Sequence, residues 1–242
     1  PAPLWLLVLR SLPWPVRMTA IIWVCAWVNF LMFHTVAGLF AIVIAMVAMV
    51  VVTTSQRFTR NHFVVYSAVA IGWCGGLDLL HMLMFKGLHL LPSDSANPPT
   101  QLWVAARFIQ AAALVTSPLL LNRSVRLLHV QAGFGVAAAL SVTLIAAGLF
   151  PTAYVDGQGL TPFKIYAEFA IIGLLACALA LFWRYRALMS TRLLANLVAA
   201  VVFMILSELA FTRYASVYAP ANLRGHLLKI FAYWYVYLAL VH

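Results

Sequence analysis

The sequence has very few charged residues. Lys, Arg, Asp and Glu together make up 8% of its 242 residues, and hydrophobic residues make up 65%, whereas a soluble domain carries roughly 25% charged residues. This scarcity excludes an ordinary soluble domain. Residues 18–56 contain no Asp, Glu, Lys or Arg. One helix of that length would span ~58 Å, about twice a hydrocarbon core of ~30 Å, so the segment must fold back once.

Several motifs of soluble enzymes are also missing. The three cysteines, Cys25, Cys74 and Cys177, lie in apolar segments without a CxxC pair, and we interpret them as small hydrophobic residues. Serine-hydrolase, dinucleotide, Walker and HExxH motifs are absent, so those chemistries gain no support. The net charge of +10 comes without a basic run interleaved with aromatic residues, and we expect no nucleic-acid partner.

Long apolar runs separated by polar turns predict an all-α fold, a polytopic transmembrane helical bundle of about eight spans, with seven as the alternative. Pro13 and Pro15 are expected to separate an apolar or interfacial segment, residues 1–13, from a transmembrane domain at 14–242. A tight turn near Asn29–Thr35 joins the first two spans, and Thr100 caps the fourth. The spans run over about Trp14–Asn29, Phe33–Ser55, His62–Phe85, Thr100–Asn122, Leu127–Leu149, Phe163–Arg184, Leu193–Tyr214 and Leu223–Val241.

Basic residues are distributed unequally between the two ends of these spans. One end holds Arg10, Arg17, Arg57, Arg60, Arg123, Arg126, Arg184, Arg186 and Arg192. The opposite end holds Lys86, Lys164, Arg213, Arg224 and Lys229. The richer end is expected in the cytoplasm, which places both the N and C termini there and the longer polar loops, 87–99 and 150–162, outside.

The acidic residues show the opposite distribution. All five lie in the outer half of the spans or in the outer loops: Asp78, Asp94, Asp156, Glu168 and Glu208. A charged group at the bilayer centre costs from about 3 to more than 10 kcal/mol, and such groups face the bundle interior or a cavity. Arg107, Lys164, His226 and Lys229 fall at the same depth. The set therefore predicts one polar pocket in the outer half.

Residue spacing favours convergence on that pocket. Asp78 and His81 are three residues apart on one helix, as are His226 and Lys229, and Lys164 and Glu168 are four apart, so each pair shares a helix face. Gly72 and Gly76 would let a neighbouring helix approach closely just before Asp78.

Three interpretations of the polar set stay open. The charges could pair only to lock the bundle, they could build a ligand pocket, or some could hold a metal. For a divalent metal the best ligands are Asp78, His81 and His226, because imidazole and carboxylate groups suit such an ion. His34 and His89 are optional further ligands. The Trp and Tyr residues around the last helix, Tyr233 among them, are expected mainly as interfacial anchors, although aromatic residues beside a polar pocket could also line it.

Five motifs in order resemble a known family, the third class of bacterial membrane-associated sensor domains, the MASE group, over roughly residues 25 to 242. They are DLLHMLMFKG from Asp78, PPTQLWVAARF from Pro98, GQGLTPFKIYAE from Gly157, LSELAFTRYASVY from Leu206 and NLRGHLLKI from Asn222. The motif residues coincide with the polar set, which we predict to be ligand-binding: Asp78, His81, Lys86, Gln101, Arg107, Lys164, Glu168, Glu208, His226 and Lys229.

The resemblance implies a multi-pass sensory input domain of a signalling receptor in the bacterial inner membrane. It would have no catalytic activity of its own and would pass its signal through the last helix to a cytoplasmic effector following residue 242. Diguanylate cyclase, phosphodiesterase and histidine kinase modules are the expected effectors. The expected partners are the lipid bilayer, a small-molecule or ion signal, the effector and a second copy of the chain. A divalent metal is the one cofactor that the residues suggest.

Two alternative functions follow from the same residues. A metal-dependent membrane hydrolase would use Asp78, His81 and His226 to activate a water against a lipid amide or ester. An ion or small-solute carrier would need polar groups along the whole path. The carrier is disfavoured because the inner half has no acidic set that matches the outer one.

Overall fold

The alternation of long apolar runs and short polar turns produces a bundle of helices. The computed structural model describes residues 3–55, 61–88, 90–91, 95–212 and 220–241. Within these ranges the helices are α1 (Leu4–Ser11), α2 (Pro13–Val28), α3 (Phe30–Thr54), α4 (His62–Leu83), α5 (Asn97–Thr116), α6 (Leu127–Ala146), α7 (Pro162–Arg184), α8 (Thr191–Phe211) and α9 (Pro220–Leu240). Short 3₁₀ turns follow α5 at Ser117–Leu120 and α7 at Arg186–Leu188.

Six of the described helices are long and apolar enough to cross a membrane, namely α3 to α8. Helix α2 has 16 residues, fewer than the roughly 20 that a span needs. Helix α9 carries Arg224, His226 and Lys229 in its first half, which lowers its hydropathy. The predicted class, a helical membrane bundle, is therefore confirmed. The predicted total of eight spans adds α2 and α9 to these six.

The predicted break before the first long helix is present, and one predicted turn is shorter than expected. Helix α1 ends at Ser11 and α2 begins at Pro13, because the first turn does not need the N–H groups that Pro13 and Pro15 lack. The turn expected from Asn29 to Thr35 is Asn29 alone. Its backbone is extended, and its side chain accepts a hydrogen bond from the N–H of Leu31 at 2.8 Å, so α3 starts at Phe30.

The helix cap assigned to Thr100 is wrong. Helix α5 begins three residues earlier, at Asn97, with Pro98 and Pro99 in its first turn, where proline is tolerated. Thr100 lies inside the helix, and its hydroxyl donates to the carbonyl of Ala96 at 2.7 Å. The sequence PP therefore marks the start of this helix.

A small β-hairpin occupies the loop between α6 and α7, which was expected only to be polar. Strands β1 (Tyr154–Val155) and β2 (Gly159–Leu160) pair antiparallel. Gly157 adopts a φ of 83° in the turn, a conformation that glycine reaches without steric cost. The side-chain oxygen of Asn97 accepts from the N–H groups of Ala153 and Tyr154 at 2.8 and 3.0 Å. The hairpin is thereby fastened to the start of α5.

Glycine lets α3 and α4 pack closely. A Cβ on Gly72 would lie 2.5 Å from the Met49 sulfur, and one on Gly75 would lie 2.7 Å from the Cβ of Ala45. Gly76 has nothing nearer than a methionine carbon at 4.0 Å. The predicted close approach is therefore present, but Gly75 takes the place of Gly76.

Six helix ends meet where the hairpin lies, and we call this the hairpin end of the bundle. Helices α3, α5, α7 and α9 begin there, while α4 and α8 finish there, as shown by the cavity that residues of all six line together. Helix α9 packs against α8, α3 and α2 and touches α4. The predicted residues Arg57, Arg60, His89, Asp94 and Arg213 lie outside the described ranges.

Candidate functional site

An ionic network around Asp78 ties three helices together at the hairpin end. Its Oδ2 atom accepts from Arg107 of α5 at 2.7 Å and from Lys229 of α9 at 3.0 Å. The hydroxyl of Tyr233 donates to the same oxygen at 3.4 Å. Asp78, Arg107 and Lys229 are each at most 5% exposed. We call these four side chains the Asp78 network.

Further contacts stabilise the two cations of this network. The Arg107 guanidinium donates to the side-chain oxygen of Gln110 at 2.5 Å and to the Tyr233 hydroxyl at 3.2 Å. Lys229 Nζ and Arg107 Cζ lie 4.4 and 4.8 Å from the Trp103 ring centre. Such cation–π contacts contribute about 2 kcal/mol when desolvated. Both cations are therefore partnered without any ligand.

Glu208 of α8 stands beside the Asp78 network. With Arg107, Lys229 and Tyr233 it lines a cavity of about 10 Å³, and its Oε2 atom has no hydrogen-bond partner among the described residues. Arg224, near the start of α9, is exposed. The carboxylate is thus buried next to two cations and is held by fewer bonds than Asp78.

A second ion pair lies at the start of α7. Lys164 and Glu168 are both fully buried and pair with each other one helical turn apart. The N-cap residue Thr161 accepts from the Lys164 N–H at 3.3 Å, which sets the start of this helix. The buried set therefore contains three acidic and three basic side chains: Asp78, Glu168, Glu208, Arg107, Lys164 and Lys229.

Two predicted ligand-binding residues hold the loop that contains the hairpin. Gln101 donates from its amide nitrogen to the carbonyls of Phe150 and Pro151, each at 3.0 Å. Lys86 forms a partly exposed ion pair with Asp156 at 2.7 Å. Hydrogen bonds from Lys86 and then from Ser95 lower the pKa of Asp156 below its ordinary value. These contacts hold the hairpin over the site.

Three histidines from three helices form a second polar cluster. The ring centres of His34 and His226 are 4.6 Å apart, and those of His34 and His81 are 5.5 Å apart. The His34 ring stacks on Phe85 at 3.7 Å, and Trp103 lies 5.5 Å from His81 and 5.9 Å from His226. We call His34, His81 and His226 the histidine cluster.

The metal set predicted from the sequence is not assembled around one point. Asp78 has its Oδ2 atom occupied by two cations, whereas His81 and His226 lie in the histidine cluster. Among the described residues no group of three His, Cys, Asp or Glu side chains is already arranged as a metal site. A metal bound by Asp78, His81 and His226 therefore stays a prediction.

The sequence interpretation missed Trp103 and Gln110, and it favoured the wrong alternative for Tyr233. Tyr233 was expected mainly as an interfacial anchor, but it is fully buried and contacts Asp78, as the alternative of a pocket-lining aromatic residue allowed. Its position four residues after Lys229 places both on one face of α9, and Trp103 precedes Arg107 by the same interval on α5. The i, i+4 spacing would have identified both aromatic residues as neighbours of the charged groups.

The fold and the site together define a polytopic membrane protein with a paired polar core at one end. Residues 25–242 match the family model for MASE3, described as a membrane-associated sensor domain. The chain belongs to this family of membrane sensor domains. A domain of this kind is not itself catalytic. Neither a curated protein nor a solved structure matches the chain.

Proposed function

We propose that the chain is the sensory input domain of a bacterial inner-membrane receptor with eight spans and both termini in the cytoplasm. A small molecule or ion enters at the hairpin end, which faces outward, and binds among the predicted site residues. The signal passes through α9 to a cytoplasmic effector of the diguanylate cyclase, phosphodiesterase or histidine kinase type.

The composition of the polar site is the observation that carries this proposal. The last helix contributes His226, Lys229 and Tyr233, and these side chains contact groups on α3, α4 and α5. A group that binds at the hairpin end therefore acts directly on α9. Among the described helices, α9 is the last along the chain, and it contributes side chains to both the Asp78 network and the histidine cluster.

The physical basis is a shift between two positions of α9. A ligand changes the equilibrium between two states only by the difference in its affinity for them. Lys229 has one buried acid as its hydrogen-bond acceptor, Asp78, and Glu208 is the next carboxylate along the shared cavity. A change of partner from Asp78 to Glu208 would give α9 a second stable position, since buried charges require a partner.

Effector output in the full-length protein tests the proposal. Asp78→Asn keeps the side-chain volume but removes the charge that holds Lys229, so the basal output should change. Lys229→Met should change it as well. Arg123→Gln removes a charge from an exposed position at the opposite end of the bundle; it is the control and should leave the output at the wild-type level. The measurement is the amount of effector product in cells, normalised to the receptor found in the membrane fraction.

The outcome that contradicts the proposal is wild-type output in both Asp78→Asn and Lys229→Met at wild-type membrane levels. The orientation is tested separately with single cysteines at exposed positions, Gln158→Cys in the hairpin and Ala187→Cys after α7, with Cys25 and Cys177 replaced by Ser. A membrane-impermeant thiol reagent should label only Gln158→Cys in intact cells whose outer membrane has been made permeable. Labelling of Ala187→Cys instead would show that the bundle has the opposite orientation in the membrane.

A further inference from the structure

The histidine cluster is left with unpaired nitrogen atoms. Both ring nitrogens of His34, Nε2 of His81 and Nδ1 of His226 are buried and have no hydrogen-bond partner among the described residues. His34 and His226 are at most 4% exposed. Each buried polar atom without a partner costs about 1–3 kcal/mol. Three such rings side by side indicate that they are used for binding.

The orientation of His81 defines which atom is available. Its Nδ1 lies 2.7 Å from the carbonyl oxygen of Pro99, and a carbonyl only accepts, so Nδ1 carries the proton. Nε2 then has a free lone pair within the cluster. A backbone carbonyl that holds one imidazole N–H while the other nitrogen binds is the usual arrangement behind a metal-ligating histidine.

The two ring separations measured from His34 fit one shared ion. In a tetrahedral site with metal–nitrogen bonds of about 2.0–2.1 Å, neighbouring imidazole centres lie about 5 Å apart. The observed separations from His34 are 4.6 Å to His226 and 5.5 Å to His81. All three histidines also line one cavity of about 20 Å³, which is room for about one water molecule.

We propose that His34, His81 and His226 form a three-imidazole site for a divalent transition metal of the zinc type, with a fourth position open to the cavity. The identification of this metal as part of the sensed signal rests on the proposed function, whereas metal binding itself does not. Three nitrogen ligands and one open position resemble sites that bind water or an exchangeable ligand. Calcium and magnesium are excluded by the ligands, because both ions take oxygen donors.

Coordination requires the rings to turn from their present arrangement. The rings are not yet arranged around a common point. The χ2 torsion of histidine is broad, so His34 and His226 can turn their nitrogens inward with little movement of their ring centres. His81 is held by Pro99 and provides the fixed ligand.

The charges around the cluster are compatible with a cation. Lys164 lines the same cavity but pairs with Glu168, and Lys229 pairs with Asp78. The three imidazoles bring no net charge when neutral. Asp78 is not needed as a ligand. The proposed site therefore differs from the metal set predicted from the sequence in having His34 in place of Asp78.

Metal content of the purified, reconstituted protein tests the site. The protein is stripped with a chelator, dialysed against Zn²⁺ and analysed by elemental mass spectrometry, and Co²⁺ is then used as an optical probe of tetrahedral coordination. We expect one ion per chain. His34→Phe, His81→Phe and His226→Phe should each weaken binding by at least about 100-fold, the upper range seen for loss of a supporting group alone. His129→Phe, at the opposite end of the bundle, is the matched control and should bind like the wild type.

Two outcomes would overturn this site. One is the absence of bound Zn²⁺ and of a tetrahedral Co²⁺ spectrum in wild-type protein. The other is equal metal content in the wild type and all three cluster variants, which would identify an adventitious surface site. If the wild-type protein binds no metal but Asp78→Asn changes the output, the metal site is wrong and the sensor proposal remains, with a different ligand. A bound metal with unchanged output in the Asp78 and Lys229 variants would instead indicate a structural ion.

Discussion

The Asp78 network and the histidine cluster lie at the same end of the bundle, yet they are built on opposite principles. In the network, one carboxylate oxygen accepts from three side chains on two other helices. In the cluster, three imidazole rings pack against aromatic neighbours and four of their nitrogens have no partner among the described residues. The network is held by charged hydrogen bonds, although Asp78 Oδ1 and Arg107 Nε have no partner among the same residues, whereas His81 Nδ1 makes the one polar contact found for the cluster there.

The difference follows from the cost of burial. An ionised group in the hydrocarbon region requires a partner, because its desolvation costs several kcal/mol. A neutral imidazole has a smaller cost, about 1–3 kcal/mol for each unpaired atom, and can remain open for a ligand. The paired charges of the Asp78 network therefore set the helix positions, and the histidine cluster can keep unpaired nitrogens at a smaller cost.

Removal of Asp78 should have the largest effect on stability. Asp78→Ala leaves Arg107 and Lys229 buried without their shared acid, and breaking one side of a buried ion pair costs about 3–5 kcal/mol. The free energy of unfolding in mixed detergent micelles measures this loss. Adding Lys229→Met to Asp78→Ala should recover part of it, because one uncompensated charge is removed. A loss below about 1 kcal/mol in Asp78→Ala would show that the network does not hold the helices.

A substitution in the α3–α4 contact tests whether close helix packing supports both clusters. The Cβ of Gly75→Ala would meet the Cβ of Ala45 at 2.7 Å, and overpacking costs typically about 1–3 kcal/mol. Gly133→Ala is the matched control, since no atom lies within 4 Å of a Cβ placed there. The same unfolding measurement should show a loss for Gly75→Ala alone. Equal stabilities of the two variants would mean that α3 and α4 can separate without penalty.

The histidine cluster should respond in the opposite direction from the network. His34→Phe removes two buried nitrogens without partners and keeps an aromatic ring against Phe85. In chelator-treated protein it should leave the free energy of unfolding unchanged or raise it by up to about 1–3 kcal/mol. Zn²⁺ at about 100 times its dissociation constant should stabilise only the wild type, by about 2.7 kcal/mol. A large loss of stability in metal-free His34→Phe would assign the ring a structural role.

Much of the fold could be predicted from hydropathy. The errors in that prediction have local causes. The absence of charge in residues 18–56 predicted two helices, but the turn between them proved to be the single residue Asn29. Pro13 and Pro15 were expected to separate two segments, and they do so from the first turn of α2, which does not need their missing N–H groups. Two-residue strands such as β1 and β2 depend on contacts with Asn97 that no local pattern encodes.

The sequence predicted which polar residues lie at the same depth in the bundle, but it did not predict which of them contact one another. Helix direction and the positions of the acids correctly grouped Asp78, Arg107 and Lys229, which the structure joins. The role of Gln101 depends on carbonyls about fifty residues away, and His34 meets His226 across nearly two hundred residues of sequence. Such long-range contacts depend on the rotation of each helix about its axis, which depth does not specify.

The exposed pair Lys86–Asp156 should show the smallest effect, and it provides the reference for the buried network. Hydrogen bonds lower the pKa of Asp156 in the folded protein, so its contribution to stability is present at neutral pH. That contribution is lost as the pH falls from the ordinary aspartate pKa of about 4 to the lowered one. Because the pair is solvated, Asp156→Asn should cost less than about 1 kcal/mol at pH 7, and 1 M salt should reduce even this difference.

Both Asp156→Asn and Asp78→Ala remove an acid that accepts from a lysine, but Asp78 is buried and also accepts from Arg107 and Tyr233. Unfolding measured at pH 7 and again at pH 3 should show the difference between Asp156→Asn and the wild type shrinking at the lower pH. A cost in Asp156→Asn as large as in Asp78→Ala would mean that the hairpin contributes to stability as much as the buried core. The Lys86–Asp156 pair would then contribute to stability on the same scale as the Asp78 network.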